Sequence, residues 1–169
     1  KVAPKHTPSV LLAGAVESEL GSHNLAQTYF GQALGQEPEN LYARKLMIAS
    51  LAKSGRVQRA LEVLQPGLKQ APEDPALLGL AGDLYLRSNE FAKAAQYFEK
   101  AAKLDPKSAG ARTGLAMSRL GIGETDRAYA DLESAVQLDA GNYQADVVLV
   151  MSHLQRSNYD QALKAIASL

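Results

Sequence analysis

The chain has 169 residues, with 18 Lys plus Arg against 18 Asp plus Glu, no cysteine and a formal net charge of zero. This balance disfavours an array that wraps nucleic acid, which normally carries a basic excess, and the lack of cysteine excludes disulfides and thiolate chemistry within these residues. No stretch reaches the roughly 18 consecutive apolar residues of a membrane span, so we expect no direct membrane insertion.

The chain repeats itself every 34 residues. One position is always alanine, a second is always a large apolar residue, and a third is Gly or Asn, which tolerate the left-handed conformation at a helix end. A fixed period of this length indicates a repeat array, in which each unit buries its apolar face against its neighbours. The three sets are Ala26, Ala60, Ala94, Ala128 and Ala162; Phe30, Leu64, Phe98, Leu132 and Ile166; and Gly21, Gly55, Asn89 and Gly123.

We interpret residues 1–169 as a single array. Thr7 is expected to cap the first helix, and Pro66 is expected to kink a helix of the second repeat because it lacks a backbone donor. Val147 and Val148 would suit a strand, but Ala162 keeps the fifth repeat in register. The predicted repeats are 7–40, 41–74, 75–108, 109–142 and an incomplete 143–169, with 1–6 as the tail of an upstream repeat.

The third repeat shows the pattern best, as two amphipathic helices closed by a proline. The small residues allow close helix approach, while Tyr85 and Phe98 fill the volume between the helices. The unit resembles the tetratricopeptide repeat, and its one departure is Ala81, where the pattern has leucine. The resemblance implies an all-α, right-handed superhelical solenoid of about five helix-turn-helix repeats. The matching positions are Leu78, Gly82, Tyr85, Ala94, Phe98, Ala101 and Pro106.

No arrangement of residues indicates catalysis. His6, His23 and His153 lie in different repeats without ligand spacing, so we predict no metal site and no cofactor. His153 takes the position of Tyr85 in the third repeat, which favours a packed residue on a helix face. The sequence contains no nucleophile motif and no phosphate-binding loop. We therefore expect a protein that is not an enzyme.

In the tetratricopeptide-repeat family, the first helix of each repeat lines a concave groove that holds an extended peptide or a partner helix. The resemblance implies a groove here that is small and polar toward the N-terminus and rich in Leu, Met and Val toward the C-terminus. Exposed apolar patches with flexible Met side chains mark interaction sites, so we predict a protein partner with an apolar or amphipathic segment. The predicted groove residues are Leu11, Tyr42, Lys45, Asp83, Leu86, Met117, Leu120, Val147, Met151 and Leu154, with Ala15, Ala52, Thr113 and Gln144 beside them.

The alternative is that the apolar stretch packs on further repeats or on a capping helix, because terminal repeats need polar caps. An uncapped edge would also permit self-association with a second copy.

One subclass of the family binds the C-terminal carboxylate of chaperones through a clamp of Lys, Asn, Asn, Lys and Arg. Lys45 matches the first clamp position, but Ala49, Leu80, Gly110 and Gly114 occupy the other four. One lysine without convergent hydrogen bonds would bind a carboxylate weakly. We expect no carboxylate clamp.

Residues 61–86 and 110–154 are similar in style to the tetratricopeptide lipoproteins of bacterial PEP-CTERM/exosortase and exopolysaccharide systems. That resemblance implies a non-catalytic scaffold for protein sorting or polysaccharide export in the cell envelope, in the periplasm. The lipid-bearing cysteine of such proteins would lie upstream of these residues. The alternative is a cytosolic adaptor or co-chaperone without a clamp.

Overall fold

The computed structural model describes residues 6–139 and 143–167, and these residues form ten α-helices and no strand. The first helices of successive repeats begin one period apart, and so do the second helices. The predicted all-α helical repeat fold is confirmed, while its right-handed sense stays a prediction. Apart from His6, the predicted tail 1–6 lies outside the described residues. The helices are α1 (Thr7–Glu19), α2 (His23–Gln36), α3 (Leu41–Lys53), α4 (Val57–Gln70), α5 (Pro75–Arg87), α6 (Phe91–Leu104), α7 (Ala109–Ile122), α8 (Thr125–Leu138), α9 (Tyr143–Gln155) and α10 (Tyr159–Ala167).

The turn between the two helices of each repeat contains one residue with positive φ. The predicted positions are confirmed, with φ of 77° at Gly21, 75° at Gly55, 58° at Asn89 and 86° at Gly123. The fifth repeat places Ser157 in the same conformation, at φ 58°. Serine has no intrinsic preference for this region, so no local signal predicted that turn.

The first helix of each middle repeat starts with a second periodic signal, a short polar side chain that caps it. Asn40, Asp74 and Ser108 each accept a hydrogen bond from the backbone N–H three residues later, at 2.9, 2.9 and 3.2 Å. These bonds satisfy amide groups that the first helical turn leaves without a partner. The prediction that Thr7 caps α1 is wrong, because Thr7 is already helical and its hydroxyl donates to Gln36 Oε1.

The chain divides into two compact units, one up to Leu80 and one from Ala81, with the boundary inside α5. Both units have the same kind of core, in which alanines at close helix contacts alternate with one large residue. In unit 1 the largest such residue is Phe30, and in unit 2 Leu132 and Phe98 take this role. The core residues of unit 1 include Val10, Leu11, Ala26, Phe30, Ala33 and Ala43, and those of unit 2 include Ala94, Phe98, Leu115, Ala128, Leu132 and Leu149.

Helix α4 runs through Pro66 without interruption. The next residue, Gly67, is buried, and a Cβ built on it would lie 2.8 Å from Cδ of Arg44 and 3.4 Å from Leu77. The side chain of Arg44 crosses this glycine, and its guanidinium donates to the carbonyls of Pro38 (2.6 Å) and Val63 (3.2 Å). Gly67 therefore weakens helix propensity but gives room for a cross-helix hydrogen bond.

None of the helices that the structure describes is both long and apolar enough to cross a membrane.

Candidate functional site

Unit 2 brings together four of the residues assigned to the groove. Asp83 and Leu86 of α5, Met117 of α7 and Gln144 of α9 line one open cavity of about 390 Å³. Sequence reasoning had treated them as separate contributions from three successive repeats, and the fold places them around a common space. The cavity is completed by residues that were not predicted as site residues, namely Arg87, Phe98, Gly110 and Gly114.

The ring of Phe98, which lines the cavity, is approached closely by two glycines. A Cβ built on Gly82 would lie 2.8 Å from Cγ, Cδ2 and Cε2 of the ring, and one built on Gly114 would lie 2.4–2.7 Å from Cζ, Cε1 and Cε2. Real side chains do not approach this closely, so both positions require glycine as long as the ring stays where it is. Packing against Phe98 thus explains why position 114 is glycine and not the arginine of the carboxylate clamp. The corresponding feature of the sequence is Phe98 on α6, the helix between the two helices that carry Gly82 and Gly114.

The cavity carries no net charge from its side chains. Arg87 Nε donates to Asp83 Oδ2 at 2.7 Å across one turn of α5. Asp83 is therefore already paired with a cation of its own chain. Among the other lining side chains, Leu86, Met117 and Phe98 are apolar and Gln144 is polar but uncharged. This surface suits an apolar side chain better than a charged one.

The remaining predicted residues of unit 2 do not line this cavity. Leu120 is half-buried and packs against a core cluster of α7, α8 and α9. Val147, Met151 and Leu154 are exposed along one face of α9, as expected for residues spaced four and three apart on a helix. Thr113 does not belong to the surface, because its side chain is buried and donates to the carbonyl of Ala109.

Unit 1 has an apolar cavity of about 390 Å³ between α1 and α3, lined by Leu11, Ala15 and Tyr42 together with Pro8 and Leu12. Tyr42 is 63% exposed, but Leu11 is only 7% exposed and belongs to the core of α1–α3. Leu11 thus contributes to the cavity floor and to the core together, and its assignment to the groove stays a prediction. Ala52 is buried as well.

Lys45, the one match to the clamp, has a partner within the chain. Its Nζ donates to Asp74 Oδ2 at 2.6 Å, and both side chains are about three-quarters buried. Burial alone would raise the pKa of the Asp74 carboxyl, but hydrogen bonds from Lys45 and the Leu77 amide outweigh it and hold that pKa below 3.8. Lys45 thus stabilises the start of α5, where Asp74 is the cap.

We expect Asp74→Asn to lower the free energy of unfolding by about 1 kcal/mol at neutral pH, since asparagine keeps the cap but not the ion pair. A carboxyl with a depressed pKa stabilises the fold above its unfolded pKa and stops doing so as the pH falls through its folded value. The difference between variant and parent should therefore vanish well below pH 3.8. Urea unfolding across this range measures it, and Glu73→Gln removes an exposed carboxyl next to it as the control. Equal pH profiles for the two variants would contradict the assignment.

His153 is packed, as predicted. Its ring stacks on Tyr129 of α8 with centroids 4.6 Å apart and an angle of 8° between the planes. Within the residues that the structure describes, no group of three or more His, Asp or Glu side chains converges on a possible metal position.

Comparisons with known proteins agree with this architecture. The model of the tetratricopeptide-repeat family matches residues 46–109 and 113–169. The anaphase-promoting complex subunit cut9 of Schizosaccharomyces pombe is 30% identical over 122 residues, which is 72% of this chain and 18% of cut9. Protein FlbA of Caulobacter vibrioides is 25% identical over 134 residues, 79% of this chain and 22% of FlbA. The chain thus spans about a fifth of the length of these relatives.

Among solved structures, a thermophilic tetratricopeptide-repeat protein of Thermus thermophilus superposes with a TM-score of 0.84 at 21% identity. The match covers 96% of this chain and 89% of that one, and it shows the same fold. Proteins with this fold generally mediate protein–protein interactions and are typically not catalysts. The helix pairs, the turn positions and the family match agree, and the chain belongs to the tetratricopeptide-repeat family.

Proposed function

We propose that this chain is a non-catalytic scaffold whose unit 2 holds an apolar segment or an amphipathic helix of a partner protein. The observation that carries the proposal is the cavity between α5 and α7, where Leu86, Met117 and Phe98 form the walls and Asp83 is already neutralised by Arg87. A docked helix would place one apolar side chain in this cavity. The match to a subunit of the anaphase-promoting complex supports a role in a protein assembly.

The exposed face of α9 extends the proposed binding surface within unit 2. Val147, Met151 and Leu154 leave about half of their side chains in contact with solvent. Burying such side chains stabilises a complex by about 25 cal/mol per Å² of apolar surface, and Met adapts to differently shaped partners.

We propose the cell envelope, in the periplasm, as the location, with a role in protein sorting or polysaccharide export. Its support is the similarity in style to bacterial envelope lipoproteins. The alternative, a cytosolic adaptor, has the same binding surface but a different set of partners.

The test is an in-cell crosslinking pull-down with mass spectrometry, performed after subcellular fractionation of the cells that make the protein. The variant Leu86→Glu, Met117→Glu and Met151→Glu places three carboxylates on the proposed surface. The control variant Gln96→Glu, Gln137→Glu and Gln161→Glu adds the same charge at positions of second helices outside that surface. Circular dichroism establishes that both variants are folded.

We expect one set of partners to be captured by the parent and the control and lost in the surface variant. Recovery of the chain and its partners in the envelope fraction supports the scaffold location, and recovery in the cytosol supports the adaptor. Capture that is the same in all three proteins would overturn the binding surface.

A further inference from the structure

Unit 1 contains an arginine, Arg56, whose side chain is held in place by hydrogen bonds. It is not one of the residues assigned to the groove. Arg56, the residue before α4, donates from one terminal nitrogen to Gln27 Oε1 at 2.9 Å and from the other to Asn24 Oδ1 at 2.7 Å. Gln27 is itself only 7% exposed and donates to the carbonyl of Ser50 and the hydroxyl of Ser54. The guanidinium is therefore held in place by a network that joins α2, the end of α3 and the start of α4.

The hydrogen-bond partners of Arg56 do not offset its positive charge. Both of its partners are neutral amides, and across residues 6–139 and 143–167 no carboxylate forms an ion pair with it. Two of the five N–H groups of a guanidinium satisfy these bonds, so others remain for a further acceptor. A cation at the start of a helix also opposes the helix dipole, so the charge itself does not favour folding.

The arginine forms one side of a cavity of about 740 Å³. The half-buried Met47 and Val57 contribute apolar walls. Arg59 adds a second cation whose contact with Glu62 is long, at 3.8 Å, and exposed. Exposed pairs of this kind contribute little, so Arg59 also leaves positive charge at the rim. The cavity thus combines an uncompensated cationic edge with an apolar surface.

We propose that this cavity is a second binding site, which takes an acidic segment of a partner protein in which a Glu or Asp lies beside an aliphatic side chain. The carboxylate accepts hydrogen bonds from Arg56, which is already oriented for them, and the aliphatic group contacts Met47 and Val57. Charge-assisted bonds to a pre-oriented guanidinium are the stronger kind of hydrogen bond. A free phosphate would satisfy the cation but not the apolar walls. This site is separate from the surface of unit 2, so either proposal can fail without the other.

Three probes separate these chemistries when they are titrated into the full chain: the peptide acetyl-Leu-Glu-Glu-Leu-amide, its Leu-Gln-Gln-Leu counterpart, and inorganic phosphate at matched ionic strength. The readout is the shift of the backbone amide NMR signals of Gly55 and Val57, which line the cavity and are present in every variant. Arg56→Gln removes the charge, and Lys100→Gln on α6 removes the same charge at an exposed position elsewhere. Asn24→Ala keeps the charge but loosens the guanidinium.

We expect the Glu peptide to bind at least about tenfold more tightly than the Gln peptide, with this preference lost in Arg56→Gln and kept in Lys100→Gln. Asn24→Ala should weaken the Glu peptide by about threefold, because orientation is lost but charge is not. Equal binding of both peptides, or a response to phosphate as large as that to the Glu peptide, overturns the proposal. If Arg56→Gln does not fold, Asn24→Ala decides: unchanged binding in that variant also overturns it.

Discussion

Replacing Gly114 with alanine is expected to destabilise unit 2 by about 1–3 kcal/mol, the usual cost of overpacking a core. The new methyl group would lie 2.4–2.7 Å from three atoms of the Phe98 ring. The ring is buried, and it is also crowded at Gly82, where a built Cβ would lie 2.8 Å away, so moving it aside costs free energy. The usual gain in helix propensity of alanine over glycine, about 1 kcal/mol, is included in this range.

Gly110→Ala is the matched control, since Gly110 lies one turn earlier on α7 and a Cβ there meets nothing within 4 Å. We expect its stability to be unchanged or raised by up to about 1 kcal/mol. Urea unfolding followed by circular dichroism measures both variants. Combining Gly114→Ala with Phe98→Leu should recover part of the loss, because the smaller side chain gives way. Equal stability of Gly114→Ala and Gly110→Ala would contradict the packing described for Phe98.

Leu132→Ala should cost about 2–5 kcal/mol, while Ile166→Ala should cost less than about 1 kcal/mol. The two residues occupy the same position of the 34-residue period, and the sequence alone predicts similar effects. Leu132 is completely buried between α8 and its neighbours, whereas Ile166 on α10 is 49% exposed. Only the first substitution leaves a cavity.

The same denaturation experiment compares these two variants. Met151→Ala, which shortens an exposed side chain on α9, measures the background cost of trimming an apolar group at the surface. A loss in Ile166→Ala that equals that of Leu132→Ala would mean that Ile166 is covered in solution. Analytical ultracentrifugation would then show whether a second copy covers it.

Much of the fold follows from the sequence because helices and turns are set by local spacing. The alanine, large-residue and glycine positions predicted where helices start and where the chain turns, and Gly21, Gly55, Asn89 and Gly123 have the required left-handed backbone. Ser157 was not predicted there, because at that position the fold imposes a conformation that serine does not favour. Such an exception is visible only after the neighbouring repeats fix the register.

The candidate sites are predicted less completely, since they depend on pairs that lie far apart in the chain. Lys45 matches one clamp position in the sequence, and in the fold it pairs with Asp74, 29 residues later. No local pattern distinguishes Arg56 in the sequence. In the fold, Gln27, which also lies 29 residues from its partner, holds the guanidinium of Arg56 beside an open cavity. Nothing in the local spacing distinguishes a charge with such a partner from one without it.

The repeat length, the helix pairs and the small-residue faces can all be derived from the amino-acid order, because each depends on residues within one or two turns of one another. Three properties required the folded chain: which members of each periodic set are buried, which charges are already paired, and which glycines give room for an aromatic ring. Burial and pairing are properties of what lies next to a side chain in space. For Lys45 and Arg56, a partner lies 29 residues away in the chain.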